Sequence, residues 1–117
     1  MSIFVYKIVS SLEPPIHTLA GGIEGGMGEK CFDILKTRVD DIALIKESEL
    51  RSAIRWLLKH HQYLIEPSSA VALASCLFGH VRLKGPTVIV LSGRNVSYAT
   101  LQDLFQTCEA AFDKISV

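Results

Sequence analysis

Apolar and polar positions alternate along this chain in a way that divides it into short helical and extended stretches. Residues 2–9 are β-branched and aromatic and predict a strand, and Glu13-Pro14-Pro15 then breaks regular structure. Over residues 29–38, Cys31, Ile34 and Leu35 recur at helical spacing with Phe32 beside them. The run Asp40-Asp41-Ile42-Ala43-Leu44-Ile45 follows as a short strand, completing one α/β unit. Residues 47–61 predict an amphipathic helix with Leu50, Ile54, Leu57 and His61 on one face and Arg51, Arg55 and Lys59 on another; Glu47 and Arg51 are spaced for an i to i+4 pair.

Glu66-Pro67 predicts the start of a helix over residues 68–78. Proline suits the first helical position, a carboxylate ahead of it complements the helix dipole, and Gly79 marks the end. Ala70, Val71, Ala72, Leu73 and Ala74 make this helix nearly apolar all round, as in a helix packed on several sides. Val88-Ile89-Val90-Leu91 is a continuous apolar run and predicts a strand covered on both faces. It ends in Ser92-Gly93-Arg94-Asn95, and ligands of open α/β sheets gather beyond the carboxyl ends of such strands. A last helix starts at Ser97 or Thr100 and runs through Cys108 to Phe112, with Leu101, Leu104, Phe105, Cys108 and Phe112 as its inner stripe.

Composition narrows the classes of function. The chain has 117 residues, which suits a single domain over 1–117. Twelve basic and twelve acidic residues cancel, so no field draws the protein to nucleic acid or to an anionic membrane. Hydrophobic residues make up 49% with a mean hydropathy of +0.31, high for so small a domain, and predict that another chain covers part of the apolar surface. Three cysteines without a Cys-x-x-Cys pair read as small buried apolar residues in a reducing compartment. No leader pattern and no apolar stretch of about 18 residues is present, and the expected location is cytoplasmic.

No metal site is expected, since neighbouring His60 and His61 point in different directions on a helix and read as surface residues, and His17 and His80 are isolated. The glycines at 21, 22, 25, 26 and 28 make a flexible segment without the spacing of a nucleotide-binding fingerprint.

Four landmarks in order carry a family resemblance: Thr18-Leu19-Ala20-Gly21-Gly22-Ile23, Val39-Asp40-Asp41-Ile42, Glu66-Pro67-Ser68-Ser69-Ala70 and Leu91-Ser92-Gly93-Arg94-Asn95. Over residues 14–96 the chain resembles the C-terminal segment of threonine and serine dehydratases, which with serine racemase are fold type II enzymes using pyridoxal 5'-phosphate. The resemblance implies a three-layer α/β lobe with a small, mostly parallel sheet flanked by helices. It implies that Ser92, Gly93, Asn95, Glu66 and Gly22 occupy ancestral cofactor-facing positions, with the Ser92 hydroxyl bonding the pyridine nitrogen. Glu66 reads equally as a polar neighbour of the ring and as a helix N-terminal acid, and Ser92 also reads as a residue that starts a turn.

Three positions depart from the family pattern: Gly21 replaces an aspartate, Arg94 replaces a second glycine, and Lys46 stands where a threonine or serine cap is usual, weakening that helix start by about 1 kcal/mol. Arg94 reads as a solvated arginine or as a partner for an anion.

The family's cofactor lysine, in a Ser-x-Lys-x-Arg-Gly type motif, and its glycine-rich phosphate loop have no counterpart among these residues. Lys7, Lys30, Lys36, Lys46, Lys59, Lys84 and Lys114 read as solvated charges. The expectation is a truncated, non-catalytic dehydratase-like remnant or structural module that self-associates as a dimer, with no catalytic residue and no cofactor of its own. Two alternatives remain: a partner subunit that completes or regulates a pyridoxal-phosphate-dependent dehydratase (an ammonia-lyase), joining a full-length enzyme or a separate N-terminal portion, and a small anion-binding protein using Gly22, Ser92, Arg94 and Asn95.

Overall fold

The structure, a computed structural model, describes residues 2–5, 8–11, 18–23 and 25–106. Lys7, Glu13-Pro14-Pro15, His17, Cys108, Phe112 and Lys114 lie outside the described residues. Contacts divide the chain into two compact units, Met1–Ile42 and Ala43–Val117.

In the first unit, β1 (Ser2–Val5) and β2 (Ile8–Ser11) pair antiparallel, with Ser2 opposite Ser11 and Phe4 opposite Val9. The single strand expected over residues 2–9 is thus two, because a lone strand leaves its backbone groups unpaired and a hairpin satisfies them. No parallel pair occurs among the described residues, so the mostly parallel sheet has no counterpart there.

A 3-10 turn, Gly21–Ile23, precedes α1 (Glu29–Leu35). Helix α1 buries none of its residues; Ile34 is 62% exposed and Cys31 is exposed, correcting the inner stripe expected for this helix and the buried thiol expected at Cys31. Residues 39–46 form neither helix nor strand. The strand expected over 40–45 is corrected accordingly, and Ile42 and Leu44 are exposed.

The second unit is built on α2 (Glu47–His61) and α3 (Pro67–Leu77), which pack together, with α4 (Tyr98–Gln106) against α2. Leu50, Ala53, Ile54 and Leu57 of α2 and Ala70, Leu73 and Ala74 of α3 are buried, as are Ile65 in the link and Leu104 of α4. The spacing of the α2 residues is the amphipathic stripe expected for it, except that His61 is exposed and stacks with Trp56, as His60 also does. The arginine face of α2 carries α4: Arg51 pairs with Asp103 at 2.7 Å, and the Arg55 Nε donates to the Leu104 carbonyl. Ser97 Oγ accepts from the Thr100 N–H at 3.1 Å and caps α4, as expected. Phe105, expected in its inner stripe, is 58% exposed. Helix α3, expected to be packed on several sides, leaves Ala72 exposed.

Both ends of the α2–α3 pair have defined terminations. Lys46 offers no acceptor at the α2 N-cap, so the side-chain half of a capping box is missing. The reciprocal half is made by Glu49, whose Oε2 accepts from the Lys46 N–H at 2.9 Å. Helix α3 ends in a Schellman motif, with Gly79 at φ +71°, its N–H on the Cys76 carbonyl and the His80 N–H on the Ser75 carbonyl. That turn delivers His80, which sequence reading leaves isolated, to Glu49 Oε2 at 2.9 Å. Burial pushes the Glu49 carboxyl up, but the Lys46 N–H, the His80 hydrogen bond and the nearby positive charges outweigh it and hold it below its ordinary value.

Candidate functional site

The N-terminus of α3 and the segment after Ser92 form one hydrogen-bonded cluster within the second unit. Pro67 occupies the first helical position and offers no N–H, and Glu66 precedes it in extended conformation at φ −73° and ψ 154°. In this conformation the Glu66 side chain does not cap its own helix. Its Oε2 accepts the Asn95 N–H at 3.0 Å. The Glu66 N–H donates to the Gly93 carbonyl at 3.0 Å, and one turn into α3 the buried Ser69 Oγ accepts the Gly93 N–H at 2.8 Å. Three bonds therefore fix two of the three residues that follow Ser92. Glu66 is at once the N-cap residue of α3 and bound to the Ser92 segment, so the geometry accommodates both roles open to it.

This docking explains why residue 93 is glycine. A Cβ there would overlap the Glu66 carboxylate, so any larger residue would displace the side chain that holds Asn95. Gly93 needs close approach here, and no positive φ is involved.

Among the residues expected at the site, Ser92, Gly93, Asn95 and Glu66 are brought together by this cluster. Gly22 lies in the first unit, exposed in the Gly21–Ile23 turn. Ser92 is exposed, and its hydroxyl makes no hydrogen bond among the described residues. Arg94 is committed: its guanidinium carbon lies 4.8 Å from the centroid of the Tyr63 ring.

Two participants escape sequence reading. Ser69 stands inside a quoted motif, where its spacing from Glu66 was the available signal. Tyr63 has no local signal, because 31 positions separate it from Arg94.

The apolar run leading to Ser92 differs from its expected form. Residues 88–91 form no strand among the described residues, and Val88 and Val90 are 90% and 69% exposed. A strand is covered on its edges only where neighbouring strands pair with it, and among the described residues no strand pairs with residues 88–91. No group of three or more His, Cys, Asp or Glu residues that could hold a metal occurs among them, and no described helix is long and apolar enough to cross a membrane.

Comparison with known proteins gives a consistent assignment. The chain is 32% identical over 117 residues to serine racemase of Homo sapiens, an alignment covering 95% of this chain and 34% of that protein. It is 40% identical over 90 residues to L-threonine ammonia-lyase of Geobacter sulfurreducens, covering 75% and 22%. The crystal structure of the T.th. threonine deaminase superposes with a TM-score of 0.71 at 35% identity, over 77% of this chain and 33% of that one. The chain thus spans about a third or less of these relatives' length. The family model described as pyridoxal-phosphate dependent enzyme matches residues 5–93, and the chain belongs to that family, among its fold type II dehydratases.

Proposed function

We propose that these 117 residues form a non-catalytic, self-associating module of the threonine and serine dehydratase type. The observation that carries this reading is the bare apolar run before Ser92, with Val88 90% exposed. An extended apolar segment with free backbone edges gains both hydrogen bonds and burial by pairing with a second copy. The expected assembly is a homodimer. A cytoplasmic setting accords with the free thiols of Cys31 and Cys76.

The residues present fit one edge of a pyridoxal phosphate ring and not the rest of the group. The free hydroxyl of Ser92, held beside an anchored glycine, suits a pyridine nitrogen. The Asn95 N–H, which a phosphate could otherwise use, is already taken by the Glu66 carboxylate, whose negative charge would repel a phosphate. No buried side-chain polar atom among the described residues lacks a partner, so no orphaned group marks a second anchoring point. No lysine belongs to the cluster, and no catalytic step is derived from it.

A second reading is favoured by the intact clamp at Ser92. Here the module supplies the ring-facing edge to a dehydratase N-terminal portion, which brings the lysine and phosphate loop and completes an ammonia-lyase. The anion-binding alternative has less support, since Arg94 is engaged with Tyr63 and Glu66 adds a like charge beside any bound anion.

Sedimentation over nanomolar to micromolar concentration tests the first reading, which predicts a concentration-dependent dimer; a monomer throughout overturns it. Mixing with pyridoxal phosphate, then borohydride reduction and intact mass, tests the absence of catalysis. No site-specific adduct is expected, whereas an absorption band and a single adduct would show a reactive lysine and overturn the non-catalytic assignment.

A further inference from the structure

Arg94 sits between two anchored residues. Gly93 is held through both its N–H and its carbonyl, Asn95 through its N–H, and the Arg94 carbonyl itself takes the Val96 N–H at 2.9 Å. The backbone on either side is therefore fixed, while a long cationic side chain projects from the position two residues after Ser92. Its guanidinium lies over the Tyr63 ring at 4.8 Å.

Tyr63 is itself presented from a short, constrained link. Gln62 closes α2 in left-handed conformation at φ 50° with its N–H on the Leu58 carbonyl, and Ile65 is buried. The link ends at Glu66, the residue that clamps Asn95. The same few residues thus hold the Ser92 segment twice, through the Glu66 carboxylate and through the Tyr63 ring face.

We propose that Tyr63 is a positioning residue: by holding the Arg94 guanidinium on its ring it completes the docking of the Ser92 segment on α3. The attraction is that of a cation for the negative face of an aromatic ring, which at an exposed site changes a local opening equilibrium by about two- to fivefold.

Amide hydrogen exchange by NMR on the unliganded protein decides it. Tyr63→Ala and Arg94→Ala should each speed exchange at the Asn95 N–H by about two- to fivefold, the double variant should add nothing further, and Tyr63→Phe, which keeps the ring, should match the wild type. Exchange at the Leu57 and Leu73 amides, within the packed helices, should not change. If Asn95 exchange is unaltered in Arg94→Ala, a surface substitution that leaves the core intact, or rises in Tyr63→Phe as much as in Tyr63→Ala, the proposal is overturned.

Discussion

Helix α2 and residues 88–91 both carry apolar side chains suited to burial within the same unit, and they have opposite outcomes. Helix α2 satisfies its backbone internally, lays Leu50, Ala53, Ile54 and Leu57 against α3 and reaches α4 through Arg51 and Arg55. The run at 88–91 has equally suitable side chains for a buried strand, yet Val88 and Val90 face solvent. The difference lies in where hydrogen-bond partners come from. A helix carries its own and needs a neighbour only for its apolar stripe, whereas a strand needs neighbours for its backbone and for both faces. The helical pair buries its apolar stripe within this chain, and the strand-like run does not.

The largest effect is expected at the helix pair. Leu57→Ala should lower unfolding free energy by about 2–5 kcal/mol in urea titration, because it opens a cavity between packed helices. A loss under about 1 kcal/mol would mean that this interface is not the stabilising core.

Gly93→Ala comes next. Its new methyl meets the Glu66 carboxylate, the far end of a flexible side chain that must swing aside, so the Asn95 anchor should be lost at a cost of about 0.5–1.5 kcal/mol, and exchange at the Asn95 and Gly93 amides should accelerate. Pairing it with Glu66→Ala, which removes the obstructing carboxylate, should make the second substitution less costly than it is alone. Simple additivity would show that the two groups do not meet.

A smaller effect is expected on the acid limb. Glu49 titrates below its ordinary value in the folded chain, so the unfolded chain binds the proton more readily and stability rises with pH across this group's range. The contribution is complete above the unfolded value of about 4.3 and is lost as pH falls through the depressed folded value. Glu49→Gln should therefore flatten the stability profile below about pH 4.3, and an unchanged acid limb would assign that dependence to other carboxylates.

The smallest effect is expected at the bare run. Val88→Thr should change the stability of the dilute monomer by no more than about 0.5 kcal/mol, since the side chain is already in water. The same substitution should weaken the proposed dimer in sedimentation. A large loss in the monomer would show that residue 88 is covered after all and would remove the contrast with α2.

Much of this molecule was legible along the sequence. The period of the α2 stripe, the proline at the start of α3 and the glycine at its end depend on residues within a few positions of one another, and local sterics and hydrogen bonding decide them. The motif around Ser92 and the one around Glu66 were readable as a shared pattern, and the family match over residues 5–93 agrees with it.

What lay beyond reach was every statement about which surfaces meet. The apolar character of residues 40–45 and 88–91 says that they would favour a strand, but pairing depends on a neighbour that no local pattern supplies. The stripes expected for α1 and at Phe105 failed for the same reason, since amphipathic spacing marks a face without providing what covers it. The attachment of Asn95 to Glu66, of Gly93 to Ser69 and of Arg94 to Tyr63 joins positions 24 to 31 residues apart. Each joins residues that only the packing of the α2–α3 pair and its link brings near the later segment. Local pattern along the chain set the helices, the limits of α2, the proline start and glycine end of α3 and the polar residues beyond the apolar run. The tertiary structure alone decided that Glu66 turns from its own helix to Asn95, that His80 closes on Glu49, and that the run before Ser92 stands uncovered, because these depend on distances between segments that the chain must first bring together.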